Sequence, residues 1–215
     1  HTLLGEDAFR QGTDLYFDRH DGTAATTDDF ADAMAQAGEI DLAQFKRWYE
    51  QPGTPKVQVA ESYADGRLTL NITQAPADLP NAQQQQQFHM PLAMGFLAPD
   101  GASLALSVAD IESTATTSLR DDGQTLLLGA KESTTELTIS SLPAKPVVSF
   151  LRGFSAPVKV SHQRDAEELA FLVQHDTDGF VRWDAMQTLW MSHLDSSAVT
   201  TVDPVAVLGG LAKGA

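Results

Sequence analysis

The 215-residue chain contains no cysteine. Disulfide staples, thiolate nucleophiles and cysteine-ligated zinc are excluded, and the composition fits a reducing, cytoplasmic compartment. Basic residues are scarce: 14 Lys and Arg stand against 29 Asp and Glu, a formal net charge of −15. Such a surface repels phosphate backbones and anionic lipid, so neither nucleic acid nor an acidic membrane is an expected partner. No apolar run approaches the ~18 residues that would span a bilayer. No charged-then-apolar signal segment opens the chain, which begins at His1, and the expectation is a piece of something larger. Against these absences, 42% hydrophobic and 20% charged residues describe an ordinary globular chain, long enough for one or two domains with a real core.

Catalytic motifs are missing as well. Two zinc-binding histidines on one helix face need H-E-x-x-H spacing or a close variant. Among His1, His20, His89, His162, His175 and His193, none has another histidine four residues away. "HDTDG" at 175–179 has the look of a calcium loop but lacks the third acidic position and the bidentate Glu, so it reads as a helix–helix turn around Gly179. "GFSAP" at 153–157 puts Pro157 where a nucleophile elbow needs glycine, and Ser155 lies between two strand candidates. "NIT" at 71–73 matches a glycosylation acceptor without a secretory context. Phosphate-cradling glycine loops do not occur. The carboxylate pairs Asp28/Asp29, Asp121/Asp122 and Glu167/Glu168 are adjacent in sequence and point apart, as caps and solvated faces. No catalytic, cofactor-binding or metal-ligating residue is identified.

Hydrophobic period divides the chain into three. Over residues 1–54 it is helical. Thr26 with Asp29 predicts a capping box, followed by a stripe of Phe30, Met34 and Ala37 that stops at Gly38. Asp41 is expected to cap a second helix carrying Leu42, Phe45 and Trp48, with Lys46 and Arg47 near its C-terminal end and Pro52-Gly53 stopping it. From Lys56 the period is two. Val57/Val59 and Leu68/Leu70/Ile72, placed around Asp65-Gly66, predict a hairpin. "FHMPLAMGFL" sets Phe88, Met90, Leu92, Met94 and Phe96 on one face, and Pro91 on the other predicts an edge strand or a bulge. The glutamines at 83–87 read as a polar loop. Further strands are expected near Leu104 and Leu106 and over 124–128, 136–141, 147–152 and 157–161, which together imply an antiparallel β-sandwich.

The helical period returns at Asp165, which forms a capping box with Glu168 ahead of Leu169, Leu172 and Val173. Phe180, Trp183, Trp190 and Leu194 fall on one broad face of the next helix, and Asp203-Pro204 starts a last one. The fold class is therefore α+β: a central antiparallel sandwich flanked by α-helical segments.

"YFDRHDGTAATTDDFADAM", "DLAQFKRWYEQPGTPKVQV", "FSAPVKV" and "LAFLVQHDTDGFVRWDAMQTL" together resemble the bacterial aminopeptidase N family, over essentially the whole chain and in the same order. The resemblance implies a zinc metallo-aminopeptidase that removes N-terminal residues from peptides. It implies that residues 1–54 are the last helices of a thermolysin-like catalytic domain, with His1 inside a helix. Residues 55–161 would be an immunoglobulin-like sandwich, and 162–215 the first helices of a C-terminal helical domain. The zinc pair, its downstream Glu ligand, the G-A-M-E-N loop and the catalytic Tyr would all lie upstream of His1. The site residues, catalytic, cofactor-binding and metal, are therefore none here: zinc belongs to the parent, and this segment alone should be inactive. Its partners would be the remaining domains of the same chain, with peptides as the parent's substrates. The other reading is a stand-alone immunoglobulin-like module that binds a partner through loops or a sheet edge.

Overall fold

The computed structural model describes residues 1–80, 84–120, 123–195 and 202–213. Asp65 and Gly66 both take positive φ (50° and 74°), the backbone of a two-residue I′ turn. They fold β1 (Lys56–Ala64) onto β2 (Arg67–Ala75) with Ala64 opposite Arg67. Seven strands follow: β3 (Met90–Leu97), β4 (Ile111–Ser113), β5 (Thr116–Arg120), β6 (Thr125–Ala130), β7 (Thr134–Ile139), β8 (Val147–Phe150) and β9 (Lys159–His162). They form a five-stranded sheet, β4-β7-β2-β1-β9, and a four-stranded sheet, β5-β6-β3-β8. Every pairing is antiparallel except that of β9, which runs parallel to β1. The inner faces meet through Val57, Leu70, Ile72, Met94, Phe96, Leu126, Leu137 and their neighbours, all buried in one apolar cluster.

Several expectations change. Leu104 and Leu106 lie outside any strand, and that stretch makes only a single bridge, Leu97 to Ser103. β4 and β5 instead fall in "IESTATTSLR", whose polar side chains give no alternation to read. Pro91 is not on an edge strand, since β3 lies between β6 and β8. β8 reaches only Met94 to Leu97. On the β8 side of β3, the Ala93 amide donates to Ser155 Oγ at 2.9 Å rather than to a strand. Pro91, two residues earlier on that side, therefore interrupts no ladder.

α1 (Glu6–His20) and α2 (Thr27–Ala37) form a hairpin whose helices approach closely, because Gly12 has no Cβ to meet Met34 Sδ. His1 is not in a helix: residues 2–4 form a turn, and Gly5, at φ 83°, precedes α1. The Thr26/Asp29 capping box is complete in both directions. Asp41 does accept from the Ala43 amide at 2.8 Å. The helix it was expected to start is regular only over α3 (Arg47–Glu50), because the turns before it tighten to i→i−3 bonds at Arg47, Trp48 and Tyr49.

After the sandwich come α4 (Ala166–His175), α5 (Gly179–Leu194) and α6 (Pro204–Lys213). Asp165 caps α4 through the Glu168 amide, but Glu168's own carboxylate turns to Arg164 at 3.7 Å, so only half of that box forms. On α5 the buried stripe is Val181, Ala185 and Leu189, while Trp183 and Leu194 are 57% and 71% exposed. α5 is apolar on more than one side, and its smaller residues permit the closer approach to α4.

Candidate functional site

β3 is buried along its whole length on both faces. Met90, Leu92, Met94 and Phe96 point into the sandwich, whereas Pro91, Ala93, Gly95 and Leu97 face outward and are covered by the two helical segments. The outer face of the five-stranded sheet, by contrast, carries exposed Gln58, Ala60, Asn71 and Glu136. Asn71 of the "NIT" sequence thus sits on that open face. One side of the sandwich is a solvated wall and the other a platform.

The first helical segment is held on the platform by Trp48. Its ring packs on Phe88 at 4.4 Å between centroids, and its Nε1 donates to the His89 carbonyl at 3.0 Å. Gln85, Gln86 and Gln87 complete the grip. Gln44 donates to the Gln87 and Lys131 carbonyls, Arg47 to Gln87, and Gln51 exchanges two hydrogen bonds with Gln86. Gln85 takes the Ala77 amide and donates to the Pro52 carbonyl. Gly53, at φ 89°, lies against Ala77 and Leu79, where a Cβ would collide. Residues 85–87 of the stretch expected as a polar loop form a clasp. Trp48 is half-buried, so Trp48→Ala is expected to cost about 2–3 kcal/mol, somewhat less than the ~3–5 kcal/mol of a fully buried aromatic deletion. Urea denaturation checks this, and an unchanged midpoint would mean that the ring carries no load at this joint.

The second segment is held by Arg152. The corner after β8 places Leu151, Gly153 and Phe154 at φ 65°, 61° and 51°, a left-handed run that two non-glycine residues enter at a cost. That corner lays the Arg152 guanidinium over Gly95, where a Cβ would collide with its Cζ. Arg152 donates to Ser149 Oγ, the Gln124 carbonyl, Thr125 Oγ1 and, at 3.2 Å, Asp176 Oδ1. Asp176 also accepts the Asp178 amide, while Asp178 caps α5 through Val181 and accepts the Gly153 amide. "HDTDG" is indeed a helix–helix turn, and its two aspartates fasten that turn to the sheet.

A third group of charges lies where β9 runs into α4. His162 Nε2 and Glu61 are 3.1 Å apart, and Lys145 reaches Glu61 at 2.5 Å. Arg164, which can only donate, points at His162 Nδ1 and at the Val148 carbonyl. His162 is thereby fixed with its proton on Nε2, donating to Glu61. The His162 hydrogen bond and Lys145 outweigh burial and hold Glu61 down to about 2.

These charges lie at the joints between the sandwich and the helical segments. Ser155 Oγ is engaged by the Ala93 amide at the rim of the platform. Asp28 pairs with Lys46 while the Asp29 carboxylate accepts from the Thr26 amide, so that carboxylate pair does point apart. Asp121 and Asp122 lie outside the described residues. Among the described residues, no group of three or more His, Asp or Glu is arranged to hold a metal ion, and no helix is long and apolar enough to cross a membrane.

Comparison with known proteins places this arrangement. Residues 53–163 match the family described as a domain of unknown function, DUF3458, of Ig-like fold, and residues 166–208 match DUF3458_C, described as ARM repeats. The chain is similar to Aminopeptidase N of Escherichia coli (strain K12), 36% identical over 90% of this chain and 21% of the relative. Aminopeptidase N of Haemophilus influenzae is 32% identical over 93% of this chain and 22% of its own length. For Caulobacter vibrioides Aminopeptidase N the figures are 40%, 87% and 20%. The chain thus spans about a fifth of the length of the curated relatives it matches. A crystal structure of Legionella pneumophila aminopeptidase A in complex with aspartic acid superposes with a TM-score of 0.78 at 23% identity, covering 98% of this chain and 23% of that one, a likeness of fold. The sequence between residues 53 and 163 and the sandwich it builds place the chain in the DUF3458 family of Ig-like fold, homologous along most of its length to a segment of aminopeptidase N.

Proposed function

We propose that this chain is the part of a zinc-dependent aminopeptidase N that spaces and orients its neighbours, with peptides as the parent's substrates. Residues 1–54 are the last helices of the catalytic domain, 55–161 the immunoglobulin-like sandwich and 162–215 the first helices of the C-terminal domain. The observation that carries this reading is the platform: both helical segments are docked on one sheet face by directional polar ties, as a rigid spacer requires. The stand-alone binding module is not favoured, because the matched relatives are several times longer than this chain and the match continues on both sides of the sandwich.

On this reading no catalytic, cofactor-binding or metal-ligating residue lies in the chain. Zinc belongs to the parent, and the absence of cysteine supports a cytoplasmic home. The purified chain is expected to release no amino acid from an N-terminal chromogenic substrate, with or without stoichiometric zinc. Zinc-dependent turnover would overturn it. The reading frame upstream of His1 supplies the companion test: an H-E-x-x-H motif supports the spacer, and a start codon immediately before His1 supports the module.

A further inference from the structure

A cleft of about 400 Å³ opens on the platform between the two docked helical segments. Its polar lining is Thr2, Arg120, Thr125, Arg152, Ser155, Thr177 and Asp178. Arg120 and Thr125 face each other across the end of the β5–β6 pair, so their side chains share the face over which Arg152 lies.

The charges in this lining are not equivalent. Arg152 is paired with Asp176. Asp178 accepts from the Val181 and Gly153 amides and sits at the start of α5, where the helix dipole offsets a negative charge. Arg120 has no acidic partner among the described residues, and one of its five N–H donors goes to the Thr2 carbonyl at 2.6 Å. The hydroxyls are directed too. Thr125 Oγ1 already accepts from Arg152 and Ser155 Oγ from Ala93, so each has its own proton to give. Thr177 adds a third hydroxyl. The lining therefore offers donors and, at Arg120, a positive charge with no acidic partner among the described residues, while the Asp178 carboxylate is engaged by the Val181 and Gly153 amides. A ligand complementary to it is a negatively charged acceptor.

We infer that this cleft binds an oxyanion, a carboxylate or a phosphate group of a small molecule, with Arg120 as the charged anchor and Thr125, Ser155 and Thr177 as supporting donors. Charge-assisted hydrogen bonds to a guanidinium are among the strongest available to such a group. The inference stands apart from the aminopeptidase reading, since it uses only the lining of the cleft.

Titration of this chain with inorganic phosphate at constant ionic strength, followed by amide chemical shifts and calorimetry, tests it. Saturable binding is expected, with the largest shifts at Arg120, Thr125 and Thr177. Arg120→Gln should weaken binding at least about tenfold, the loss of one charge-assisted contact. Thr177→Val should weaken it several-fold without moving the thermal midpoint, which keeps the test valid if Arg120→Gln loosens the Thr2 contact. Arg67→Gln, on the other sheet, should change nothing. A short peptide and its C-terminal amide then distinguish the sources. Binding of the acid form alone identifies a peptide carboxylate, and binding of phosphate alone identifies a phosphorylated small molecule. Saturable binding of neither phosphate nor the peptide acid, a peptide amide that binds as tightly as the acid, or binding indifferent to both Arg120→Gln and Thr177→Val would overturn the assignment.

Discussion

Asp176→Ala is expected to destabilise the chain by about 3–5 kcal/mol, the cost of leaving one partner of a buried ion pair uncompensated. The side chains of Asp176 and Arg152 are 0% and 9% exposed, so water cannot replace the missing carboxylate. Asp176 Oδ2 is itself buried without a protein partner, which leaves Arg152 as its principal source of compensation. Removing Asp176 also deprives the Asp178 amide of its acceptor and so loosens the cap of α5. Arg152 would keep Ser149, Thr125 and the Gln124 carbonyl, all neutral. Asp176→Asn retains an acceptor for both donors and should cost roughly half as much. An apolar pair, Arg152→Met with Asp176→Leu, should recover most of the loss, because it removes the buried charges together. Urea denaturation gives the totals. Hydrogen exchange locates them: amides of α4 and α5 should open first while those of β2 and β3 stay protected. A loss below about 1 kcal/mol in Asp176→Ala would show that the pair does not hold the joint.

What the sequence disclosed follows the range of the forces involved. The Asp65-Gly66 hairpin and the Thr26/Asp29 capping box are set by residues within four positions of each other, and both could be read directly. The inner face of the sandwich was equally plain, since alternation marks every strand with one apolar face. β4 and β5 were invisible because they contribute little to the core. Pro91 reads locally as an edge or bulge residue because its setting depends on where β8 stops, a fact encoded more than fifty residues later. The glutamines at 85–87 read as a polar loop because most of their work is done by carbonyls and amides whose partners are 33 to 43 residues away. Arg152 and Asp176, 24 residues apart, left no local signature either. One signal was available. "MPLAMGFL" has no charged or hydrogen-bonding side chain on either face and a glycine inside it, the mark of a strand covered on both sides and closely approached at Gly95.

Acid is expected to undo the fold through two identifiable groups. His89 is buried, and that burial, with the nearby Lys131 charge and against that of Asp41, lowers its pKa from 6.5 to about 4. Above pH 6.5 the ring is neutral in both folded and unfolded chains and contributes no pH dependence. Between 6.5 and 4 the unfolded chain takes up a proton that the folded one refuses, so stability falls as pH falls. The gap corresponds to about 3 kcal/mol. Glu61 acts lower in the scale. Held at about 2 by His162 and Lys145 against an ordinary 4.5, it stabilises the fold above pH 4.5, and that contribution is lost as pH drops toward 2, again by about 3 kcal/mol. Glu168 and Asp184, raised by burial, work in the opposite sense, so single variants are needed to separate the contributions. Denaturant midpoints measured from pH 7 to pH 2.5 provide the comparison. His89→Asn, which cannot titrate, should flatten the profile between 6.5 and 4 and leave the lower limb intact. Glu61→Gln should do the reverse, with a lower plateau at neutral pH because the His162 and Lys145 contacts lose their charge. Parallel profiles for the wild type and His89→Asn between 6.5 and 4 would show that His89 takes up its proton as readily in the folded chain as in the unfolded one.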